Sequence, residues 1–337
     1  MKTKLFVAVM GAAFGVTAAA SAATLDDVKS NGRLSCGVST GLAGFSAPND
    51  AGEWSGLDVD YCRAIAAAVF DDPEAVSYVP LTAKERFTAL QSGEVDVLSR
   101  NTTWTMSRDT QLGLNFAGVN YYDGQGFMVP KELGVSSALE LSGASVCVQT
   151  GTTTELNLTD YFRANSMDYN PVAFERLEDV NTAYSSGRCD VYTTDASGLY
   201  SIRLTLPSPD DHMVLPEIIS KEPLGPAVRQ GDDQWFSVVK WVHYALLNAE
   251  ELGVTSENVE EMTSSENPDI RRLLGAEGNF GESIGLEADW AVRVIKHVGN
   301  YGELFDRNVG PDTPLGIARG LNALWTEGGI QYAPPVR

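Results

Sequence analysis

Two arginines and a run of hydroxyls follow an apolar segment in LSRNTTWTMSRD, residues 98–109. Arg108 offers a planar fork whose geometry suits a carboxylate held by two parallel hydrogen bonds. Thr103 and the Asn101 carbonyl can accept from an ammonium group. A second stretch, GTTTE at 151–155, sets Thr152 three residues before Glu155, the spacing of a capping box. The amides that open such a helix are free to face an anion, and a preceding glycine lets the backbone approach it. A third stretch, DVYTTD at 190–195, ends on Asp195, where a strand gives way to a helix. An aspartate there commonly serves as a cap. Set in a site, it supplies the one anion an ammonium group needs.

Each stretch also has a plain use: an exposed helix arginine, an ordinary strand-to-helix turn, a cap. As a set they are complementary. A cation and helix amides suit a carboxylate; an anion and hydroxyls suit an ammonium. That describes the backbone end of a free α-amino acid.

The elements that must position these groups alternate strand and helix. Residues 33–39 read as a strand. Val59, Cys62, Ile65, Ala66, Val69 and Phe70 keep helical spacing on one face. Residues 75–80 are a strand, Thr82 and Glu85 form a capping box for a helix ending at Gly93, and 94–99 form the next strand. Thr105 caps a short helix. The pattern restarts with an extended stretch over 115–131 and strands at 144–149, 171–174 and 190–194. Helices run to about Asn165 and over 177–186 and 196–206, and 214–219 is extended. A strongly amphipathic helix spans 233–251, and helical segments are expected over 286–305 and 314–325. All three polar stretches fall at carboxyl ends of strands, where open α/β sheets bind ligands. The organisation is therefore two α/β lobes with extended crossings near 117–131 and 217–226. Ligand binding across them would pull the lobes shut.

The amino terminus reads as a secretory signal peptide: Lys2 and Lys4, an apolar run over 5–16, and Ala20-Ser21-Ala22 as the cleavage site. Cleavage after Ala22 leaves 315 residues and takes the formal charge from −21 to −23. So acidic a chain does not attract nucleic acid or anionic lipid through its net field. Four cysteines, Cys36, Cys62, Cys147 and Cys189, suggest disulfides in an oxidising compartment. Of three possible connectivities, 36–62 with 147–189 keeps each bridge within one lobe. The other two would tie the lobes together. The three histidines form no H-E-x-x-H motif or close cluster, so neither a metal site nor a cofactor is expected.

The segments GLDVDYCRAIAAAV (56–69), ERFTALQSGEVDVLSRNTTWTMSRD (85–109), GTTTE and DVYTTD together resemble the substrate-binding proteins of polar amino-acid ABC transporters, solute-binding protein family 3. The chain length and DRNVGPDTPLG (306–316) are similar to the general L-amino-acid-binding subgroup. The resemblance implies a periplasmic binding protein type II fold of two lobes, each a mostly parallel sheet flanked by helices, joined by two hinge crossings. The parts would be a signal peptide at 1–22, lobe one at 23–120, lobe two at 121–220, and a return with a helical extension at 221–337. It implies that Arg108, Thr103 and the Thr153 amide take the α-carboxylate, while Asp195, Thr103 and the Asn101 carbonyl take the α-ammonium. Arg86 would read a side-chain carboxylate, with Arg100 a weaker candidate for the same wall, and Phe45 would fill an aromatic position. The family often has aromatic residues where this chain has Leu42 and Ala83, so the pocket is expected to be roomy. The implied function is periplasmic capture of L-amino acids, favouring Glu, Gln, Asp and Asn, for an ABC permease by a monomer. The rival readings are a dehydratase-like enzyme on the same fold and a ligand sensor for a chemoreceptor.

Overall fold

The computed structural model describes residues 23–337; the signal peptide expected at 1–22 lies outside the described residues. Alternating strands and helices build two five-stranded sheets. The first runs Val76–Pro80, Leu34–Val38, Val97–Leu98, Ala227–Arg229, Leu114–Phe116. The second runs Asn170–Phe174, Ser145–Gln149, Val191–Asp195, Gln125–Pro130, His212–Val214. Each supports one lobe.

A mostly parallel sheet was the expectation; both sheets are mixed. In each, the first three strands are parallel and the last two pairings are antiparallel. The fourth strand of each sheet enters straight from a crossing between lobes. It therefore runs against the strands that are fed by helices. The chain leaves the first lobe through Tyr121–Asp123 and comes back through Glu222–Leu224, and these two strands pair antiparallel.

The helix Leu57–Phe70 packs on the first sheet, with Trp290–Val298 and Asp233–Glu251 against it. Its start needs glycine. Gly56 has φ 127, and a Cβ there would lie 2.2 Å from the Phe45 carbonyl oxygen. The disulfides are Cys36–Cys62, joining the first strand to this helix, and Cys147–Cys189 in the second lobe. In the chain-entropy account each stabilises by roughly 3–4 kcal/mol.

The amphipathic helix over 233–251 forms as its spacing demands. Beyond it, Trp290–Val298 and Tyr301–Asn308 are helical. The helix expected over 314–325 does not form: only short 3₁₀ turns appear, at Gly320–Asn322 and Trp325–Glu327. Gly316 and Gly320 both take positive φ, which a continuous helix forbids. Among the described residues no helix is long and apolar enough to cross a membrane.

The lobes touch. Ser201 Oγ of the second donates to the Ala43 carbonyl of the first at 2.7 Å, and Lys84 pairs with Glu175 at 3.6 Å. Gly151 lies against the Lys84 backbone, where a Cβ would come within 3.2 Å of the Lys84 Cα.

Candidate ligand site between the lobes

The turn after Val97–Leu98 is held from below by Asp58. This buried carboxylate accepts from the Asn101 amide at 2.7 Å and from Ser99 Oγ at 3.2 Å. Burial pushes its carboxyl up to about 6, against those hydrogen bonds. Asn101 takes φ 33, a left-handed conformation that asparagine tolerates better than most residues. Its carbonyl accepts from no partner among the described residues. The turn then joins the returning crossing: Trp104 N donates to the Pro223 carbonyl at 2.8 Å, and Gly225 N to the Thr102 carbonyl at 3.0 Å.

Thr105 caps the next helix by accepting from Arg108 N at 3.3 Å. Arg108 Nη1 donates to the Thr103 carbonyl at 2.8 Å. The Arg108 guanidinium lies 5.0 Å from the Phe87 ring centroid, and Arg86 sits over the same ring at 4.7 Å. Arg86 Nη1 reaches the Arg100 carbonyl and Thr102 Oγ1 only at 3.4 and 3.3 Å, and its buried Nε has no partner. Arg100 Nε donates to the Leu81 carbonyl at 3.0 Å.

All three guanidinium groups are buried. Burial pushes Arg100 and Arg108 down to about 10. Arg86 is pushed down by burial first, then by Arg108 and Arg100. Arginine does not give up its proton at neutral pH. The unfavourable charge must instead be met by an anion.

The second lobe supplies the opposite sign. Asp195 ends the strand Val191–Asp195, buried, and its side chain does not cap the following helix. Its carboxyl is pushed well above the usual range by burial, then by Asp123 and Glu222; Arg86 and Arg108 oppose the shift. Asp123 is raised too, chiefly by burial, while Ser197 Oγ and the Gly124 amide donate to it. An ammonium group beside Asp195 would relieve this strain. Nearby, Thr152 caps the helix Thr153–Ala164 by accepting from Glu155 N at 3.1 Å. The box is incomplete, because the Glu155 carboxylate takes the Gly151 amide at 3.0 Å. The Thr153 and Thr154 amides donate to no partner among the described residues.

The lobes meet at Thr103 and Thr153, whose hydroxyl oxygens lie 3.4 Å apart. Arg108, Thr103 and Thr153 are joined by polar contacts, as are Arg86, Arg100 and Asn101, and Arg86 and Arg108 share the Phe87 ring; Asp195 is linked to the three arginines through its charge. Phe45 does not join them. Its ring packs edge-on to Tyr121 in the core, at 5.2 Å, and its carbonyl accepts from the Asp58 amide opening the helix at 57–70. Leu42 and Ala83 are both buried.

Sequence reasoning missed Glu222 and Asp123. Both sit on the crossing strands, and the partners that tie them to the other lobe lie far off in the chain: Thr103 and Thr153 for Glu222, and Ser197 for Asp123. The available signal was a glutamate placed beside Pro223 within an extended connection. Among the described residues no group of three or more His, Cys, Asp or Glu side chains is arranged to hold a metal ion.

Residues 34–261 match the sequence model of the bacterial extracellular solute-binding proteins, family 3. The chain is 67% identical over 341 residues to the general L-amino acid-binding periplasmic protein AapJ of Rhizobium johnstonii, covering all of both chains. It is 59% identical over 338 residues to the glutamate/glutamine/aspartate/asparagine-binding protein BztA of Rhodobacter capsulatus, again over all of both. A solved periplasmic binding protein of an ABC transporter from Brucella ovis, with glutathione bound, superposes with a TM-score of 0.92 at 67% identity. The match covers 94% of this chain and 100% of that one.

Proposed function

The chain belongs to family 3 of the bacterial extracellular solute-binding proteins, and on that premise we propose that it captures free L-amino acids in the periplasm by closure of its two lobes. It favours Glu, Gln, Asp and Asn, tolerates others, and delivers them to an ABC permease in the inner membrane. It works as a monomer exported by a signal peptide over 1–22. One observation carries this reading: a buried carboxylate, Asp195, left free of helix capping, in a cluster with three buried arginines from the other lobe. No single-charge ligand satisfies both sides; a zwitterion does.

The Arg108 fork, Thr103 and the Thr153 amide take the α-carboxylate. Asp195, the Asn101 carbonyl and Thr103 take the α-ammonium. Arg86, with its unpartnered Nε, reads a carboxylate or amide on the ligand side chain. Arg100 is tied to the Leu81 carbonyl and contributes field more than contact. The names of the relatives support the same ligand class. The glutathione in the Brucella ovis protein supports an extension to γ-glutamyl peptides, since their glutamyl end keeps a free α-amine and α-carboxylate.

We read the protein as a binder and not an enzyme. General acid or base chemistry needs a tuned group facing the substrate, and here Asp195 is taken by the ammonium. Thermal-shift screening of the twenty L-amino acids, their D-enantiomers and glutathione tests the reading. Stabilisation by L-glutamate, L-glutamine, L-aspartate and L-asparagine, and not by the D-forms, is the expected outcome. A flat response to every L-amino acid overturns it, and turnover of arogenate or prephenate seen by mass spectrometry would favour the enzyme.

A further inference from the structure

Glu222 sits where the lobes meet, 1% exposed, on the crossing strand Glu222–Leu224. Four donors converge on its two oxygens. Thr103 Oγ1 and Thr153 Oγ1 donate to Oε2 at 2.6 and 2.8 Å, and Asn157 Nδ2 and Ser220 Oγ donate to Oε1 at 2.7 Å each. Two donors per oxygen suit an ionised carboxylate, which only accepts. Thr103 belongs to the first lobe, and Thr153 and Asn157 to the second.

A hydroxyl has one proton to give and two lone pairs to offer. Glu222 takes the proton of Thr103, so toward a ligand the Thr103 oxygen can only accept. An acceptor there repels a carboxylate and welcomes an ammonium group. From this we infer that Glu222 is a positioning residue that fixes Thr103 as an acceptor for the ligand's α-ammonium, so that the site selects amino acids over deaminated acids. This rests on the amino-acid reading above and narrows it: Thr103 serves the amine end alone, and Arg108 with the Thr153 amide holds the acid end.

The alternative is that Glu222 only braces the lobes. The two roles separate because Thr103 provides one of four contacts. Replacing Thr103 by valine removes the acceptor and leaves Asn157, Ser220 and Thr153 on Glu222. If Glu222 acts through Thr103, adding Glu222→Gln to Thr103→Val lowers affinity no further. If it is a brace, the second change still does.

The experiment is calorimetry with L-glutamate on wild type, Thr103→Val, Glu222→Gln and the double variant, with melting temperatures for each. Thermal shifts are also recorded with glutarate, which lacks the ammonium. Each single variant should lose about tenfold in L-glutamate affinity, the worth of one charge-assisted hydrogen bond, and the double variant no more than Thr103→Val. The glutarate response should be unchanged or larger. Full L-glutamate affinity in Thr103→Val overturns the proposal, and this arm stands even if Glu222→Gln fails to fold. Additive losses, or glutarate weakening in step with glutamate, overturn it as well. Wild type that binds no amino acid refutes the parent reading instead, so the two failures are distinguishable.

Discussion

The side-chain amide of Asn322 pairs with both backbone groups of Tyr122: Tyr122 N donates to Asn322 Oδ1 at 2.7 Å, and Asn322 Nδ2 donates to the Tyr122 carbonyl at 3.1 Å. Asn322 thus stands in for a strand on the crossing Tyr121–Asp123, whose other edge pairs with Glu222–Leu224. Tyr301 and Gln331 bind the preceding residues, donating to the Asn120 and Val119 carbonyls at 2.8 and 3.0 Å. The segment beyond residue 261, outside the family match, is therefore fastened to the junction between lobes.

Replacing Asn322 by alanine should cost about 1 kcal/mol or somewhat more, because it strands two backbone groups at a half-buried position. Chemical denaturation measures the loss. Small-angle scattering without ligand should also show a wider spread of lobe separations than wild type. A variant matching wild type in both respects would show that the pairing is incidental.

Arg108→Ala should weaken L-glutamate binding by about 3 kcal/mol, roughly a hundredfold, since it leaves a buried carboxylate without its charged partner. Calorimetry is the check. Arg108→Lys should recover only part of the loss, because an ammonium cannot make the fork's two parallel bonds. Wild-type affinity in the alanine variant would remove Arg108 from the site.

Arg86 makes a different prediction. It is buried over Phe87 with long hydrogen bonds and an unpartnered Nε. If it meets the ligand's side chain, Arg86→Ala should weaken L-glutamate by about tenfold or more while L-alanine changes little, one charge-assisted contact being lost from one ligand only. Equal losses for both ligands would mean that Arg86 shapes the wall without reading it.

How much of this was legible in the chain follows from the range over which each signal acts. Thr105, Thr152 and the Thr82–Glu85 pair act over three residues: Thr105 and Thr152 cap their helices, and Thr82 and Glu85 make both reciprocal bonds in the turn that precedes the helix Arg86–Ser92. Arg108, Thr103 and Asp195 could be placed because strand ends converge in an α/β fold whatever the sequence between them. The chain left Asp195 two uses, a helix cap or an ammonium partner, and in three dimensions its side chain does not cap the helix it precedes. Glu222 lies 119 residues from Thr103, so no spacing rule joins them. Over 314–325 apolar spacing suggested a helix, but Gly316 and Gly320 at positive φ override it.

The carboxylate beneath the site makes the last prediction, one of stability against pH. Burial raises Asp58 from 3.8 to about 6 in the folded chain. The folded state then holds this proton more tightly than the unfolded state does. The stability it contributes is complete below about 3.8 and is lost as pH rises through about 6, a change of about 3 kcal/mol over the shift. His243 acts in the opposite sense. Burial pushes it from 6.5 down to about 3, so its contribution is present above 6.5 and fades as the solution is acidified. Asp58→Asn keeps an acceptor for the Asn101 amide and leaves His243 alone, so subtracting the variant's curve from wild type cancels the histidine. The wild-type advantage should shrink by roughly 2 kcal/mol or somewhat more between about pH 4 and pH 7, measured by denaturant unfolding without ligand. Parallel curves would show that Asp58 is ionised throughout that window and that its hydrogen bonds to Asn101 and Ser99 outweigh its burial.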